Sequence, residues 1–288
     1  MKRIALWLLA GALTLVTAVY QRRTGPSYPL RGRETLCGRT LSYRLTRSAV
    51  NVRPFKLKVP VPENSGVTGT VAYARFKKGV SWNPERTVEM TFERASLKHG
   101  GEKTVPALTA PLSWPGGGNG LAPPAGKLAY KVTLSCGAES AALNGGRPVI
   151  IRFRGDVPAW IMIPHILVMF LAMLFGVAAG LEALRPDGKP RALAFWTLLL
   201  LFLGGFFLGP LMQKYAFGAY WTGFPLGTDL TDNKTLIVFL GWLAAIVLGR
   251  KGRGTRFWIL GAAVLMLVVY LIPHSLLGSE WDYTATGR

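Results

Sequence analysis

Two histidines and two aspartates are the residues in this sequence whose chemistry and position suggest a bound group. His165 and His274 each close an Ile-Pro-His tripeptide, and Asp229 and Asp232 lie three residues apart in the polar stretch YWTGFPLGTDLTDNK. Imidazole and carboxylate ligands together suit a divalent metal ion, and two imidazoles can hold the iron of haem b. These side chains therefore predict a metal site made by all four residues or a haem site made by the two histidines.

The same residues also have a purely structural interpretation. A histidine near a helix end can hydrogen-bond at the membrane interface, and an aspartate at a helix start accepts the first N–H bonds and meets the positive end of the dipole. We expect Thr231 or Asp232 to cap a helix that begins near Thr235. We expect Asp229 to cap a short interfacial turn after Gly227. The spacing of the four residues in sequence does not decide between these interpretations.

Five apolar runs supply the helices that would position these residues. The chain has 288 residues, is 50% hydrophobic and has a mean hydropathy of +0.30, which is typical of a membrane protein. The runs are 4–20, 160–184, 193–212, 235–248 and 257–271. Each has or approaches the roughly 17–25 residues that cross a bilayer as a helix, and the last two need tilt or extension into their flanking loops. The first run predicts an anchor over residues 1–21, with a cleaved signal peptide as the alternative.

The lysines and arginines predict an orientation for these runs. Three lie in the linker 185–191 and four in the linker 250–256, whereas the loop 214–234 has only its two end lysines. Short loops rich in Lys and Arg stay on the cytoplasmic side. We therefore expect both linkers inside the cell. Residues 22–157, the polar loop and the C-terminus are expected outside.

This topology would bring the four candidate ligands to similar depth. A helix rises 1.5 Å per residue, so His165 lies about 8 Å from the outer end of its helix. His274 follows about 26 Å of helix that starts at the cytoplasmic face. Both imidazoles are then expected in the outer leaflet, with Asp229 and Asp232 just above them. Ionisable residues inside a membrane are costly and usually face the bundle interior.

Glu182 is the one acidic residue inside the second apolar run. It lies near the expected cytoplasmic end of that helix, a few residues from two arginines. We expect its carboxylate to pair with Arg185 or Arg191. A proton-relay role is the alternative.

Residues 22–157 predict an all-β domain. Six segments are rich in β-branched and aromatic residues and are separated by Pro, Asn and Gly turn signals. They are TLSYRL, FKLKVPV, GTVAYARF, TVEMTFE, KLAYKVTL and VIIRFR. So many short strands in one domain favour a β-sandwich. Cys37 and Cys136 are the only cysteines, and outside the cytoplasm they are expected to form a disulfide, with two buried thiols as the alternative.

The charge of the chain bears on its partners. The formal net charge is +20, and residues 21–158 hold 22 Lys and Arg against 8 Asp and Glu. A basic domain beside a membrane attracts anionic lipid headgroups or an acidic protein partner, whereas nucleic acid is not expected in that compartment. A general basic bias of the source proteome is the alternative explanation. Four bundle helices are few for a solute path, so a transport role would require a homo-oligomer.

Two features resemble known proteins. The stretch LAPPAGKLAYKVTL is similar to the proline turn and Gly-Lys-x-x-Tyr strand of many bacterial domains of the immunoglobulin or fibronectin type III kind. The layout, with its Ile-Pro-His helix start and GTDLTDNK loop, resembles uncharacterised bacterial inner-membrane proteins. The resemblance implies an anchor, a periplasmic β-sandwich and a four-helix transmembrane domain over residues 158–288. It implies no activity.

Two functions follow as hypotheses. The first is a membrane protein with a metal or haem site on the periplasmic face, used for electron transfer or metal handling. The second is a non-catalytic scaffold or assembly subunit whose β-sandwich binds a periplasmic partner. The sequence has no phosphate-binding loop and no pattern typical of a kinase or an acyl-transfer triad.

Overall fold

The computed structural model describes residues 3–98, 102–115, 120–249 and 252–274. The described residues divide into two compact units. Residues 3–26 and 157–274 form a helical unit, and residues 27–156 form a unit of strands. The tail after His274, which the sequence analysis places outside the cell, lies beyond the described residues.

The helical unit contains the apolar runs that the sequence predicts. Its elements are α1 (Arg3–Thr24), α2 (Ala159–Ala183), α3 (Arg191–Leu201), a π-helix (Phe202–Leu208), α4 (Gly209–Phe217), α5 (Leu230–Leu248) and α6 (Gly252–Leu271). Within the described residues, five helices are long and apolar enough to cross a membrane, with α3, the π-helix and α4 forming one continuous span. The chain is therefore a multi-pass membrane protein by length and hydropathy. The extension expected for the two short runs is confirmed, since α5 begins at Leu230 and α6 at Gly252.

Small residues allow these helices to pack closely. A Cβ added at Gly180 of α2 would lie 2.6 Å from the Cβ of Ala263 in α6, and one added at Gly205 would lie 2.5 Å from Cγ2 of Thr235 in α5. Trp242 is fully buried in the same core. Close backbone approach of this kind stabilises helix pairs in lipid, where there is no hydrophobic drive between helices.

The unit of strands has three sheets. The first is a hairpin of β1 (Leu30–Leu36) and β2 (Arg39–Leu45). The second has the order β3 (Ser48–Val50), β11 (Val149–Arg154), β9 (Lys127–Cys136), β5 (Thr68–Arg75), β6 (Arg86–Glu89), with β10 (Glu139–Ala142) paired to β9. The third has the order β4 (Phe55–Pro60), β8 (Glu102–Leu112), β7 (Thr91–Lys98). The predicted combination of membrane helices and a β region is confirmed.

The strand prediction was wrong for one segment and incomplete for others. TVEMTFE is not one strand, because Met90 separates β6 from β7 and these belong to different sheets. The strands β1, β3, β8 and β10 were not predicted. The strand β8 carries Pro106 and Pro111, and proline in the middle of a sheet argues against a strand at the sequence level.

One disulfide and one apolar core stabilise the unit of strands. Cys37 and Cys136 are bonded and lie 99 residues apart, which confirms the predicted pairing. Closing a loop of that length contributes about 4–5 kcal/mol in the chain-entropy account. Burial raises the pKa of Tyr130, whose hydroxyl therefore remains a donor and reaches the carbonyl of Thr46 at 2.8 Å.

Candidate functional site

The buried charges of the described chain are concentrated at one end of the helical unit. Asp229, Asp232 and Lys234 are 8%, 7% and 5% exposed, and they are the only buried charged side chains among the residues whose burial the structure describes. A buried charge costs several kcal/mol unless it is paired and hydrogen-bonded. We call residues 213–234 together with Gln21, His165 and His274 the polar end.

Asp229 is the N-cap of helix α5. Its Oδ1 accepts a hydrogen bond of 2.7 Å from the backbone N–H of Thr231, and its own backbone is still extended. The prediction that Thr231 or Asp232 caps this helix was therefore wrong. The helix starts one turn earlier than the apolar run, because the polar residues that follow Asp229 already have helical geometry.

Asp232 ties the preceding loop to the first turn of α5. Its Oδ2 accepts hydrogen bonds from the backbone N–H of Thr222 at 2.7 Å and from the Thr222 hydroxyl at 3.2 Å. Gln213 of α4 donates to that hydroxyl at 2.6 Å, and Asn233 accepts from the N–H of Phe224 at 2.7 Å. A Cβ at Gly223 would lie 2.6 Å from the Cβ of Asp232, so only glycine fits where the loop crosses the helix.

Lys234 and Gln21 donate hydrogen bonds to backbone carbonyls at the end of α6. The Nζ of Lys234 donates to the carbonyl of Ile272 at 2.6 Å, and Nε2 of Gln21 donates to the carbonyl of Tyr270 at 2.8 Å. The last carbonyls of a helix have no partner within it, and Pro273 cannot supply an N–H. Side chains from α1 and α5 therefore donate hydrogen bonds to the free carbonyls at the end of α6.

A small cavity lies beside this contact. Its volume is about 20 Å³, which accommodates roughly one water molecule. Its lining consists of Gln21, Met169, Lys234, Thr235, Val269, Tyr270 and His274. The cavity is too small for an organic substrate.

His165 bonds to the π-helix. Its Nδ1 lies 3.0 Å from the carbonyl oxygen of Gly204, which also accepts the N–H of Gly209 five residues on. Pro210 has no N–H to give to the residue four positions before it, and the ladder shifts to the wider π pattern at this point. A carbonyl oxygen only accepts, so Nδ1 is the donor in this contact.

The structure brings some of the predicted ligands near one another. His274 lies within electrostatic range of His165, Asp229 and Lys234. The Asp229 and Asp232 carboxylates each accept backbone N–H bonds, and the Lys234 ammonium lies within electrostatic range of Asp229 and His274. In the part of the chain that the structure describes, no group of three or more His, Cys, Asp or Glu side chains could hold a metal ion.

Sequence reasoning missed the residues that organise this end. Lys234 entered the prediction of orientation only, as one of the two lysines at the ends of loop 214–234. Gln21, Gln213 and Thr222 were not considered. Lys234 lies directly before the apolar run 235–248, so its burial depends on where the helix starts. Because α5 starts earlier, Lys234 falls inside it and is buried.

Comparison with known proteins gives no assignment of family or fold. No family model matches the chain, and no curated protein or solved structure matches it.

Proposed function

We propose that this protein is a non-catalytic scaffold or assembly subunit, in which the helical unit anchors a β domain that binds a protein partner. The observation that carries the proposal is how the buried charges are used. Asp229, Asp232 and Lys234 each hydrogen-bond to the chain's own backbone. Groups engaged in this way hold helix ends and a loop in place. Such a structural role suits a helical unit that anchors another domain.

Several features support a location in a bacterial inner membrane, with the β domain in the periplasm. The Lys and Arg distribution favours the linkers 185–191 and 250–256 on the cytoplasmic side. The Cys37–Cys136 disulfide is typical of an oxidising compartment. One apolar core includes buried residues from all three sheets, which supports a sandwich of the immunoglobulin or fibronectin type III kind.

The surface of the β domain supports partner binding. Val52, Val80 and Phe92 are 62%, 65% and 52% exposed there. The domain also has the excess of Lys and Arg described above, so its partner is expected to be acidic.

Photo-cross-linking in native membranes tests this function. A photoreactive amino acid is placed singly at Val52, Val80 or Phe92, with Phe257 of α6, which is 75% exposed, as the matched control. We expect a protein adduct of one discrete mass from positions in the β domain and none from Phe257. High salt should weaken the adduct because the recognition is electrostatic. Failure of all β-domain positions to capture a protein would contradict the proposal.

A metal or haem centre is the second candidate, and one observation favours it. A metal-bound histidine usually donates its other ring N–H to a carbonyl, as His165 does to Gly204. His165 and His274 would be the ligands, with Asp229 or Asp232 nearby. A visible spectrum and elemental analysis of the purified protein test this. A Soret band or about one bound metal, lost in His165→Ala and His274→Ala, would replace the scaffold proposal.

A further inference from the structure

Among the described residues, the end of the helical unit opposite the polar end carries five cations on four segments. Arg3 begins α1, Arg185 follows α2, Lys189 precedes α3, Arg191 begins α3, and Arg256 lies in the first turns of α6. We call these five residues the basic end. Two carboxylates, Glu182 and Asp187, accompany them among the described residues of this region.

Contacts within the chain hold this group together. The guanidinium of Arg256 donates to the backbone carbonyls of Pro186 and Gly188, which joins α6 to the turn between α2 and α3. Glu182 accepts from Arg185 at 2.8 Å and from the backbone N–H of Lys189 at 3.2 Å. The predicted pairing of Glu182 with Arg185 is thus present.

The basic end and its two carboxylates carry a net positive charge. Glu182 forms an ion pair with Arg185 and lies within electrostatic range of Arg3. Asp187 is exposed to solvent. Five cations against two carboxylates give the described residues of this region a net positive charge.

Exposed apolar side chains border these cations. Ile4 follows Arg3 and is 75% exposed, Phe257 follows Arg256 and is 75% exposed, and Leu184 precedes Arg185 and is 63% exposed. Cations directly beside an apolar surface suit a ligand that has a phosphate headgroup and acyl chains. A soluble anion would use the cations alone.

We propose that the basic end is a binding site for anionic phospholipid, with the phosphate on Lys189, Arg191 and Arg256 and the acyl chains along Phe257 and Leu184. The contacts of Arg256 with carbonyls engage Nη2, and a guanidinium carries five N–H donors, so it can bond a phosphate as well. Clusters of Lys and Arg beside membrane helices are suited to anionic headgroups, at about 1 kcal/mol for each cation near the surface. The site does not depend on the scaffold function proposed above.

Native mass spectrometry of the full chain tests this site. The protein is released from nanodiscs that contain equal amounts of phosphatidylglycerol and phosphatidylcholine, and the retained lipids are counted. We expect phosphatidylglycerol to be retained in preference to phosphatidylcholine. Lys189→Gln and Arg191→Gln should each lower that preference about fivefold, the equivalent of about 1 kcal/mol per cation.

Lys214→Gln is the matched control, because Lys214 is an exposed lysine at the polar end. It should leave the preference unchanged. The proposal is overturned if both lipids are retained equally, or if Lys214→Gln lowers the preference as much as Lys189→Gln. It is also overturned if inorganic phosphate displaces the lipid at equal concentration, since the ligand would then be a soluble anion. Unchanged melting temperatures of both variants would show that lost lipid does not reflect unfolding.

Discussion

The two ends of the helical unit handle charge in opposite ways. At the polar end, Asp229, Asp232 and Lys234 are buried and bonded to backbone groups. At the basic end, Lys189 lies at the surface. The polar end therefore uses charge to fix its own loop and helix ends, whereas the basic end keeps charge available for a partner.

This difference identifies where a ligand is to be sought. A buried ion that is satisfied within the chain contributes to a unique structure and has little left for recognition. An exposed excess of one sign attracts ligands of the opposite sign and responds to salt. Substitutions should therefore unfold the protein at the polar end and change lipid retention at the basic end.

The largest effect is expected for Asp232→Ala. It removes the acceptor of the Thr222 N–H and hydroxyl, and a buried donor left without a charged partner costs about 3 kcal/mol. Asp187→Ala removes an exposed carboxylate at the basic end and should change stability by less than about 0.5 kcal/mol. Urea unfolding in detergent micelles measures both. Equal losses for the two variants would remove the distinction between the ends.

Two glycines give a second contrast, of about 2 kcal/mol. Gly223→Ala places a Cβ 2.6 Å from the Cβ of Asp232, and such overpacking typically costs about 1–3 kcal/mol. Gly254→Ala, near the start of α6, has open space within 4 Å and should be neutral or stabilising by up to about 1 kcal/mol. The shift of the urea unfolding midpoint of each variant measures these effects. A tolerated Gly223→Ala would mean that the loop does not cross the helix so closely.

A coupling of about 1 kcal/mol is expected between Lys234 and Gln21. Lys234 donates to the carbonyl of Ile272 at 2.6 Å, and Gln21 lies 3.4 Å from the same oxygen. Either donor can partly replace the other, so the double variant should lose more stability than the sum of Lys234→Met and Gln21→Leu. A double-mutant cycle measures the term, and strictly additive losses would show that the two side chains act separately.

Sequence reasoning located the elements better than the contacts. The apolar runs, the β region and the disulfide follow from hydropathy, alternation and compartment, which are local or compositional properties. The cap of α5 was misassigned because Asp229 and Asp232 are both good cap residues, and the fold of the 218–229 loop selects between them. Lys234 donates to the carbonyl of Ile272, which lies 38 residues away in sequence. Contacts of that kind depend on tertiary packing and leave no local signal.

The smallest effect on stability is expected for Lys189→Gln. Its side chain is exposed, and the hydrogen bond to Glu182 comes from its backbone N–H, which glutamine retains. The free energy of unfolding should therefore change by less than about 0.5 kcal/mol. Lys234→Met removes the same charge at the polar end and should cost about 2 kcal/mol, because the carbonyl of Ile272 loses a charged donor. Equal unfolding midpoints for the two lysine variants would contradict the assignment of one cation to structure and the other to recognition.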